Sequence, residues 1–374
     1  MSVLKSRPVL RWVVPAVAAV AVIGGGAAVG TFAAEAEPSL PPRTAAQLLV
    51  DLQTAQLDGL SGTVVQRADL GLPPIAGLLG GTNDLTALVT GTHTLRVWHS
   101  GPDKQRIALL DTLGEKNVIR NGRDLWVWDS RRNEASHRSL GAGSGERGAH
   151  EGAAPEVPLT PREAADKALA AVDPTTAVSV GRAATVAGRD AYELVLEPRD
   201  KTSLVHQLRI AIDAREHVPL RFEVFATGSD QPAFEVAFTQ VDFRRPDADQ
   251  FSFNPPPGVR VREESAERPA GPARKPAADA QPRVRTVGTG WTTVIEARTG
   301  EALPTGAAAG ATGGAKDPAG GAIAGALGSL PAVSGDWGSG RLLTGKLFSV
   351  LLTDDGRVLA GAVTPERLYE VARG

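Results

Sequence analysis

Apolar and polar residues alternate along two long parts of the chain, and this period of two predicts β-strands. The first part runs from Gly91 to Leu140 as short segments separated by tight turns, which predicts an antiparallel meander. The second part, residues 182–243, consists of strands with matching apolar faces. The residues of these faces are Tyr192, Leu194, Leu196, Leu208, Ile210, Ile212, Phe222, Val224, Phe234, Val236 and Phe238. The charged positions of the opposite face, which we expect to be solvated, are Glu193, Arg209, Arg221 and Glu223.

One strand of the meander lacks a polar face. It follows the tight-turn signal Asn121-Gly122 and reads Leu125-Trp126-Val127-Trp128, so both of its sides are apolar. A surface strand with one face on the core would alternate apolar with polar residues. Two apolar faces favour a strongly curved sheet whose concave side holds helices and offers room for an apolar ligand. The competing interpretation is that Trp98, Trp126 and Trp128 are ordinary core aromatics.

Local signals outside the strands predict helices and turns. Thr44-Ala-Ala-Gln47 and Thr160-Pro-Arg-Glu163 each fit a capping box, in which the first and fourth side chains satisfy backbone N–H groups reciprocally. The closing segment TPERLYEVAR predicts a third capped helix, and Asp355-Gly356 predicts the turn of a hairpin. The segment FSFNPPPG, which ends at Gly258, predicts the last strand of the first region.

Composition divides the chain into regions. Residues 260–284 are rich in Pro, Arg, Glu and Ala without a period, which predicts a linker. The linker separates a first domain, residues 38–259, from a small domain, residues 285–374, with a Gly/Ala-rich insert at 306–328 that we expect to be mobile. The predicted fold class is α+β: a strongly curved antiparallel β-sheet wrapped round helices, plus a small α+β C-terminal domain.

The first 37 residues resemble an export signal. Lys5, Arg7 and Arg11 precede an uncharged stretch, residues 12–34, and a basic flank before an apolar core orients such a segment with its basic end inside. The stretch is long enough to span a bilayer uncut, and Ala34-Glu35-Ala36 has the form of a cleavage site. We prefer a retained anchor to a cleaved signal peptide. Either one places the rest of the chain outside the cytoplasmic membrane.

Composition and motifs exclude several functions. The chain has no Cys, which removes disulfides and thiolate chemistry, and its net charge of -2 gives no reason to expect nucleic-acid binding. The sequence contains no nucleophile elbow and no HExxH motif, and its six His residues are scattered. Gly143 to Gly148 matches G-x-G-x-x-G but lies in a polar loop, outside the strand-to-helix context that a dinucleotide site requires. We therefore predict no enzyme activity, no metal and no cofactor.

Several segments, in order, resemble the lipoprotein-carrier superfamily that includes LolA, LolB and RseB (also called MucB). The helix TAAQLLVDLQTA is followed by NGRDLWVWD, which is similar to the family's W-x-Y-D strand with Trp128 in the place of the tyrosine. The segment LRIAIDAREHVPLRFEVF then matches a strand-turn-strand motif at Asp213, Pro219 and Arg221, and FSFNPPPG resembles the family's ending. The resemblance covers residues 44–259, and the second, smaller domain makes RseB the preferred subgroup.

The resemblance implies an incomplete barrel around helices, with an apolar cavity that takes acyl chains. Either Trp126 and Trp128 or Leu125 and Val127 would line such a cavity. The candidate ligand-binding residues are Trp98, Trp126, Trp128, Tyr192, Leu194, Leu208, Ile210, Phe222, Phe234 and Phe238.

The function that this resemblance implies is that of an extracytoplasmic sensor of the RseB type. Such a protein binds an acylated lipid or lipoprotein ligand and a membrane-bound anti-sigma factor. One alternative is a LolA-like carrier that moves lipid or lipoprotein. The other is a structural cell-envelope protein whose core is filled by its own side chains.

Overall fold

The computed structural model describes residues 38–72, 91–112, 114–140, 160–264, 283–298 and 328–374. The two predicted capping boxes are both present in it. Thr44 Oγ1 accepts a hydrogen bond from the Gln47 backbone N–H, and the Gln47 side chain accepts one from the Thr44 N–H at 2.9 Å. Thr160 and Glu163 repeat this arrangement. These caps begin helices α1 (Ala45–Thr54) and α2 (Pro161–Ala170).

The strands of the first sheet carry both predicted runs of alternation. In chain order they are β1 (Gly59–Ala68), β2 (Gly91–Ser100), β3 (Lys104–Asp111), β4 (Gly114–Asn121), β5 (Asp124–Asp129), β6 (Glu134–Ser139), β7 (Thr176–Val180), β8 (Ala184–Val186), β9 (Arg189–Pro198), β10 (Val205–Asp213), β11 (Pro219–Ala226), β12 (Pro232–Asp242) and β13 (Arg260–Glu264). Their spatial order is β13-β6-β5-β4-β3-β2-β1-β12-β11-β10-β9-β7, with β8 paired to β9.

This sheet is large and curved but is not closed into a barrel, so the prediction of α+β architecture around an incomplete barrel is confirmed at that level. Neighbouring strands pair antiparallel, except that β13 pairs parallel with β6. The β1–β12 pair joins the two runs of alternation into one sheet. Helix α1 contributes Leu48 and Leu52, and helix α2 contributes Ala164 and Ala165, to the core on one face of this sheet.

A second sheet follows residue 282. Its strands are β14 (Arg283–Val287), β15 (Val294–Arg298), β16 (Ala332–Gly335), β17 (Gly338–Thr344), β18 (Ser349–Thr353) and β19 (Arg357–Gly361). They lie in the order β14-β15-β19-β18-β17-β16, and the predicted Asp355-Gly356 turn joins β18 to β19. Helix α3 (Pro365–Ala372) packs Leu368 and Val371 against Leu351 and Leu359.

The two sheets contact each other through backbone and side chains. The Leu204 N–H donates to the Ala362 carbonyl at 2.9 Å, and Trp291 Nε1 donates to Thr176 Oγ1 at 2.9 Å. Trp291, Leu347 and Ala362 also pack against the core of the first sheet. The described residues therefore form one compact unit within Pro38–Gly374.

The structure changes the boundaries of the predicted linker. Arg260–Glu264, its first five residues, form β13, because their backbone groups pair with the edge of β6. The rest of the predicted linker up to residue 282 lies outside the described residues, as do most of the Gly/Ala-rich insert and Gly143–Gly148. The division into separately folding domains stays a prediction.

The predicted export signal, residues 1–37, also lies outside the described residues. Within the part of the chain that the structure describes, no helix has the length and apolar content needed to cross a bilayer.

Candidate functional site

The first sheet has a core face and an outer face, and the core face carries most of the predicted ligand-binding residues. These residues share a hydrophobic cluster with helices α1 and α2. They are Tyr192, Leu194, Leu208, Ile210, Phe222, Phe234 and Phe238. The strand register places them side by side, since Leu194 lies opposite Ile210 and Ile210 lies opposite Phe222.

The residues of this cluster differ in how deeply they are buried. Leu194 and Ile210 are 0 % exposed, whereas Phe234 is only partly buried. The Phe234 ring meets the Phe222 ring edge-on, with centroids 6.4 Å apart. Tyr192 donates its hydroxyl hydrogen to the Pro41 carbonyl at 2.9 Å, which satisfies its polar end at the border of the cluster. Phe234 is therefore the most exposed of the core-face candidates.

The three tryptophan candidates lie on the outer face instead. In the register, Trp98 lies opposite Ser61 and Arg106, and Trp126 lies opposite Ile119 and His137. Residues directly opposite each other share a face, so these side chains form one row across β1 to β6. Val97 and Ile107, one position away, belong to the core cluster. The ten predicted residues therefore do not form one site.

The outer face of β5 is covered by the chain that follows β12. This covering segment, Ala248–Phe253, begins with a short 3₁₀-helix, Ala248–Phe251. The Phe253 ring lies 5.3 Å from the Trp126 ring and 5.9 Å from the Trp128 ring, and Phe251 is 1 % exposed. Trp126 and Trp128 thus pack against another part of the same chain, which explains why both sides of β5 are apolar.

The prediction of a strand over FSFNPPPG is wrong. Phe251 closes the 3₁₀-helix, and the following residues up to Pro257 have no regular secondary structure. Pro255, Pro256 and Pro257 have no backbone N–H, so the segment cannot continue a ladder of hydrogen bonds. The chain returns to the sheet only at β13.

Leu125 and Val127 take the other side of β5. Val127 lies opposite Val118, which lies opposite Ile107 of the core cluster. Leu125 is 9 % exposed and Val127 is half-buried. Of the two pairs that could line an apolar cavity, the register therefore places Leu125 and Val127 on the core face.

The outer face of the second run of strands carries charged residues that are buried. Glu193 and Glu223 are 7 % and 8 % exposed, so the expected solvated positions are in fact covered. Arg221 lies between them, with Nε 3.1 Å from Glu223 and Nη2 3.4 Å from Glu193. Burial raises the pKa of Glu223, and the nearby Glu235 and Glu193 add to this effect against the opposing charges of Arg221 and Arg209. The arginine pairs give both carboxylates a structural role.

Asp213, which matches the family's strand-turn-strand motif, organises the turn between β10 and β11. Its carboxylate is 1 % exposed, accepts hydrogen bonds from the Arg215 and Glu216 backbone N–H groups at 2.9 and 2.8 Å, and forms a two-point ion pair with Arg189. The turn also holds His217 at a φ of 56°, a left-handed conformation. The motif residue therefore fixes a turn.

His137 is a residue that the sequence patterns did not single out. Its ring stacks on Trp126 with centroids 4.3 Å apart, while Nδ1 lies 2.8 Å from Glu263 of β13 and Nε2 lies 3.0 Å from Asp124. Ionised carboxylates only accept hydrogen bonds, so both contacts need a doubly protonated imidazolium. Burial acts to lower the pKa of His137, but the hydrogen bonds and negative charges of Glu263 and Asp124 outweigh it and raise the pKa above its ordinary value.

This arrangement predicts that β13 is held more firmly at low pH. A raised folded-state pKa gives stability that is present below the ordinary pKa of histidine and is lost as the pH rises through the folded-state pKa. Hydrogen-exchange protection factors of the Arg260 and Arg262 amides, whose N–H groups face β6, should therefore fall between pH 5.5 and pH 8.5. We expect an effect below about 1 kcal/mol, because the two carboxylates are largely exposed.

His137→Phe serves as the test variant, because it keeps the stacked ring and removes the charge. This variant should show the same protection factors at both pH values. The control His206→Gln, at an exposed histidine, should behave as the wild type. An unchanged pH dependence in His137→Phe would refute the role of this histidine.

Among the described residues, no group of three or more His, Asp or Glu side chains is arranged to hold a metal ion. The predictions of no metal, no cofactor and no enzyme activity stay predictions.

Comparison with known proteins connects this geometry to a family. The family model of the MucB/RseB N-terminal domain matches residues 89–257, which include most of the first sheet and the covering segment. No curated protein matches the sequence at a significant level.

Solved structures match the chain at low sequence identity and low TM-score. The complex of MucA and MucB from Pseudomonas aeruginosa matches at 16 % identity with a TM-score of 0.43, over 88 % of this chain and 96 % of the other. An uncharacterised conserved protein from Thermus thermophilus matches at 11 % identity with a TM-score of 0.33, over 59 % and 99 %. A LolA superfamily protein from Nitrosomonas europaea matches at 12 % identity with a TM-score of 0.23, over 57 % and 99 %. The match of residues 89–257 to this family model confirms the resemblance predicted from the sequence, to the LolA/LolB-like superfamily and its RseB/MucB members.

Proposed function

We propose that the protein is an extracytoplasmic sensor of the RseB type, which binds the acyl chain of a lipid or lipoprotein on the core face of its first sheet. The observation that carries this proposal is the apolar core face of the MucB/RseB-like sheet, on which Phe234 is only partly buried. An acyl chain needs such an apolar, water-poor surface next to a route of entry. The outer face offers no equivalent at β5, because the covering segment already fills it.

The proposed partner is a membrane-bound anti-sigma factor. A structure of the complex of MucA and MucB from Pseudomonas aeruginosa is known, and the RseB resemblance implies a partner of this kind. The second sheet supports the sensor over a carrier, since a two-part plan is the feature that separates RseB from LolA. We further propose that the chain acts outside the cytoplasmic membrane, as its N-terminal sequence predicts.

A pair of matched substitutions tests where the ligand binds. Phe234 and Phe253 are both half-buried phenylalanines, one on the core face and one over the outer face. Titrating the full chain with the fluorescent fatty acid cis-parinaric acid should show at least tenfold weaker binding to Phe234→Glu, because a carboxylate would be placed on the path of the acyl chain. The control Phe253→Glu should bind within about twofold of the wild type.

Two other outcomes would contradict the proposal. If Phe253→Glu lost binding and Phe234→Glu kept it, the ligand would lie on the tryptophans of the outer face. If the wild type took up no fatty acid, the protein would be a scaffold with a filled core. Thermal unfolding of each variant checks that a loss of binding is not a loss of fold.

A further inference from the structure

The outer face has a small groove at the junction of β1, β2 and β12. Its volume is about 210 Å³. It is lined by Ser61, Gly62, Thr63, Arg96, Trp98, Gln240, Val241 and Asp242. The groove is smaller than the sites that hold drug-sized ligands, which start near ~300 Å³, so it suits a ligand of about one sugar ring.

A β-bulge forms the floor of this groove. Thr63 lies opposite Gln240, but the next residue, Val64, lies opposite Phe238, so one residue of β12 has no partner in the register. Bulges bend a strand and redirect its side chains, and they often lie beside binding sites. A side chain at Gly62 would place its Cβ 2.5 Å from the Gln240 carbonyl oxygen. The close approach of the two strands therefore requires a glycine here.

Arg96 is the one charged side chain of the groove that lacks a counter-charge among the described residues. Its guanidinium lies 5.0 Å from the centre of the Trp98 ring, and it forms no hydrogen bond or ion pair with any residue that the structure describes. Arg106, at 5.3 Å from the same ring, is already bound to the Asn117 side chain and to the Gln250 carbonyl. Stacking on an aromatic ring orients a guanidinium and leaves its N–H groups available for a carboxylate.

The only acidic side chain of the lining is already neutralised. Asp242 accepts hydrogen bonds from Arg244 Nε at 2.8 and 3.1 Å and from its backbone N–H at 2.9 Å. These bonds lower the pKa of Asp242 to about 2, so it stays ionised and bound to Arg244. The positive charge of Arg96 is therefore not balanced within the groove.

The rest of the lining consists of groups that both donate and accept. The Ser61 and Thr63 hydroxyls and the Gln240 amide have no hydrogen-bond partner in the described part of the chain. Such groups match hydroxyls, which also donate and accept, better than they match a simple anion, which only accepts. One unpaired arginine among these groups selects a hydroxyl-rich ligand that carries a single negative charge.

We infer that this groove binds a sugar acid, a pyranose ring that carries a carboxylate, with the carboxylate on Arg96 and the ring hydroxyls on Ser61, Thr63 and Gln240. This hydrophilic site lies on the opposite face of the sheet from the proposed acyl site and does not depend on it. Both sites could be occupied at once, one by the lipid part and the other by the saccharide part of the cell envelope.

Titration calorimetry with D-glucuronate, D-glucose, acetate, inorganic phosphate and a triglutamate peptide tests this inference on the full chain. Glucuronate should bind at least tenfold more tightly than each of the others. Arg96→Gln should weaken glucuronate binding at least tenfold, and Arg96→Lys should recover only part of it, because lysine lacks the planar fork. The control Arg67→Gln, at an exposed arginine on another part of β1, should bind as the wild type.

The other outcomes would each overturn the inference. Equal binding of acetate or phosphate would show a simple anion site, equal binding of glucose would show that Arg96 is not used, and tighter binding of triglutamate would show a peptide site. No binding of glucuronate, or unchanged binding to Arg96→Gln, would exclude the groove. Arg96 is exposed, so its variants should fold, and thermal unfolding verifies this.

Discussion

Replacing Phe251 with alanine is expected to lower the free energy of unfolding by about 3–5 kcal/mol, as for other buried aromatic side chains. Phe251 is 1 % exposed and belongs to the covering segment on the outer face of the first sheet. The 3₁₀-helix that contains Phe251 packs against β3 and β4. The loss would be a large fraction of the ~5–15 kcal/mol that stabilises a typical domain.

Urea denaturation of wild type and variant measures this loss. Phe253→Ala serves as a graded control, because Phe253 is only half-buried and its truncation removes less apolar surface from contact. The expected order of stability is wild type, then Phe253→Ala, then Phe251→Ala. A change below 1 kcal/mol in Phe251→Ala would show that the segment rests loosely on the sheet, and the explanation for the two apolar sides of β5 would fail.

Replacing Asp213 with alanine is expected to destabilise the fold by about 3–5 kcal/mol, because the change leaves Arg189 without its partner and two backbone N–H groups of the β10–β11 turn without their acceptor. Burial acts to raise the pKa of Asp213. The hydrogen bonds from Arg189, Glu216 and Arg215 and the charge of Arg189 outweigh burial, so the pKa lies below its ordinary value. The stability from this carboxylate is therefore present above the unfolded-state pKa and is lost as the pH falls through the folded-state pKa.

Unfolding measured between pH 7 and pH 2.5 tests both parts of this prediction. The difference in stability between wild type and Asp213→Ala should be largest at pH 7 and should shrink in acid. The matched control is Asp242→Ala, which removes an aspartate–arginine pair at the surface, and we expect little measurable change there. A difference that stays constant down to pH 2.5 would mean that the carboxylate charge is not what stabilises the turn.

Short sequence motifs correctly predicted the helix caps and the hairpin turn, which depend on residues close together in the sequence. Both capping boxes and the Asp355-Gly356 hairpin form, since each depends on a few consecutive residues. The short edge strand β7 was missed, because five residues with little alternation give a weak signal. The parallel pairing of β13 with β6 joins residues more than a hundred positions apart, and nothing in the local pattern of Arg260–Glu264 predicts it.

The candidate site was predictable only strand by strand. Alternation correctly grouped Leu194 with Tyr192 and Phe234 with Phe238, because a strand has two sides and a period of two. Alternation does not say which side of β5 matches the apolar side of β9. That relation is set by the long-range register through β1 and β12, which places Trp126 and Leu194 on opposite faces. For this reason the sequence predicted Trp98, Trp126 and Trp128 in the same ligand-binding site as the core-face residues, although they lie on the outer face.

The burial of Glu193 and Glu223 could not be predicted from the sequence. Glu193 and Glu223 alternate with apolar residues as solvated positions do. They are buried because the chain at Gly181 passes close to Glu193 and because arginines on neighbouring strands cover both carboxylates. Arg96 differs from these two carboxylates, which have charged partners on neighbouring strands. Its own cross-strand neighbours, Thr63 and Ala108, carry no charge.

The central claim is that an acylated molecule occupies the core face of the first sheet. Native mass spectrometry of the full chain purified from its own host, with lipid extraction from the same sample, tests this claim most directly. The account predicts a bound acylated molecule in the wild type and in Phe253→Glu, and its loss in Phe234→Glu. A wild-type protein with only its own mass and no uptake of added fatty acid would contradict it.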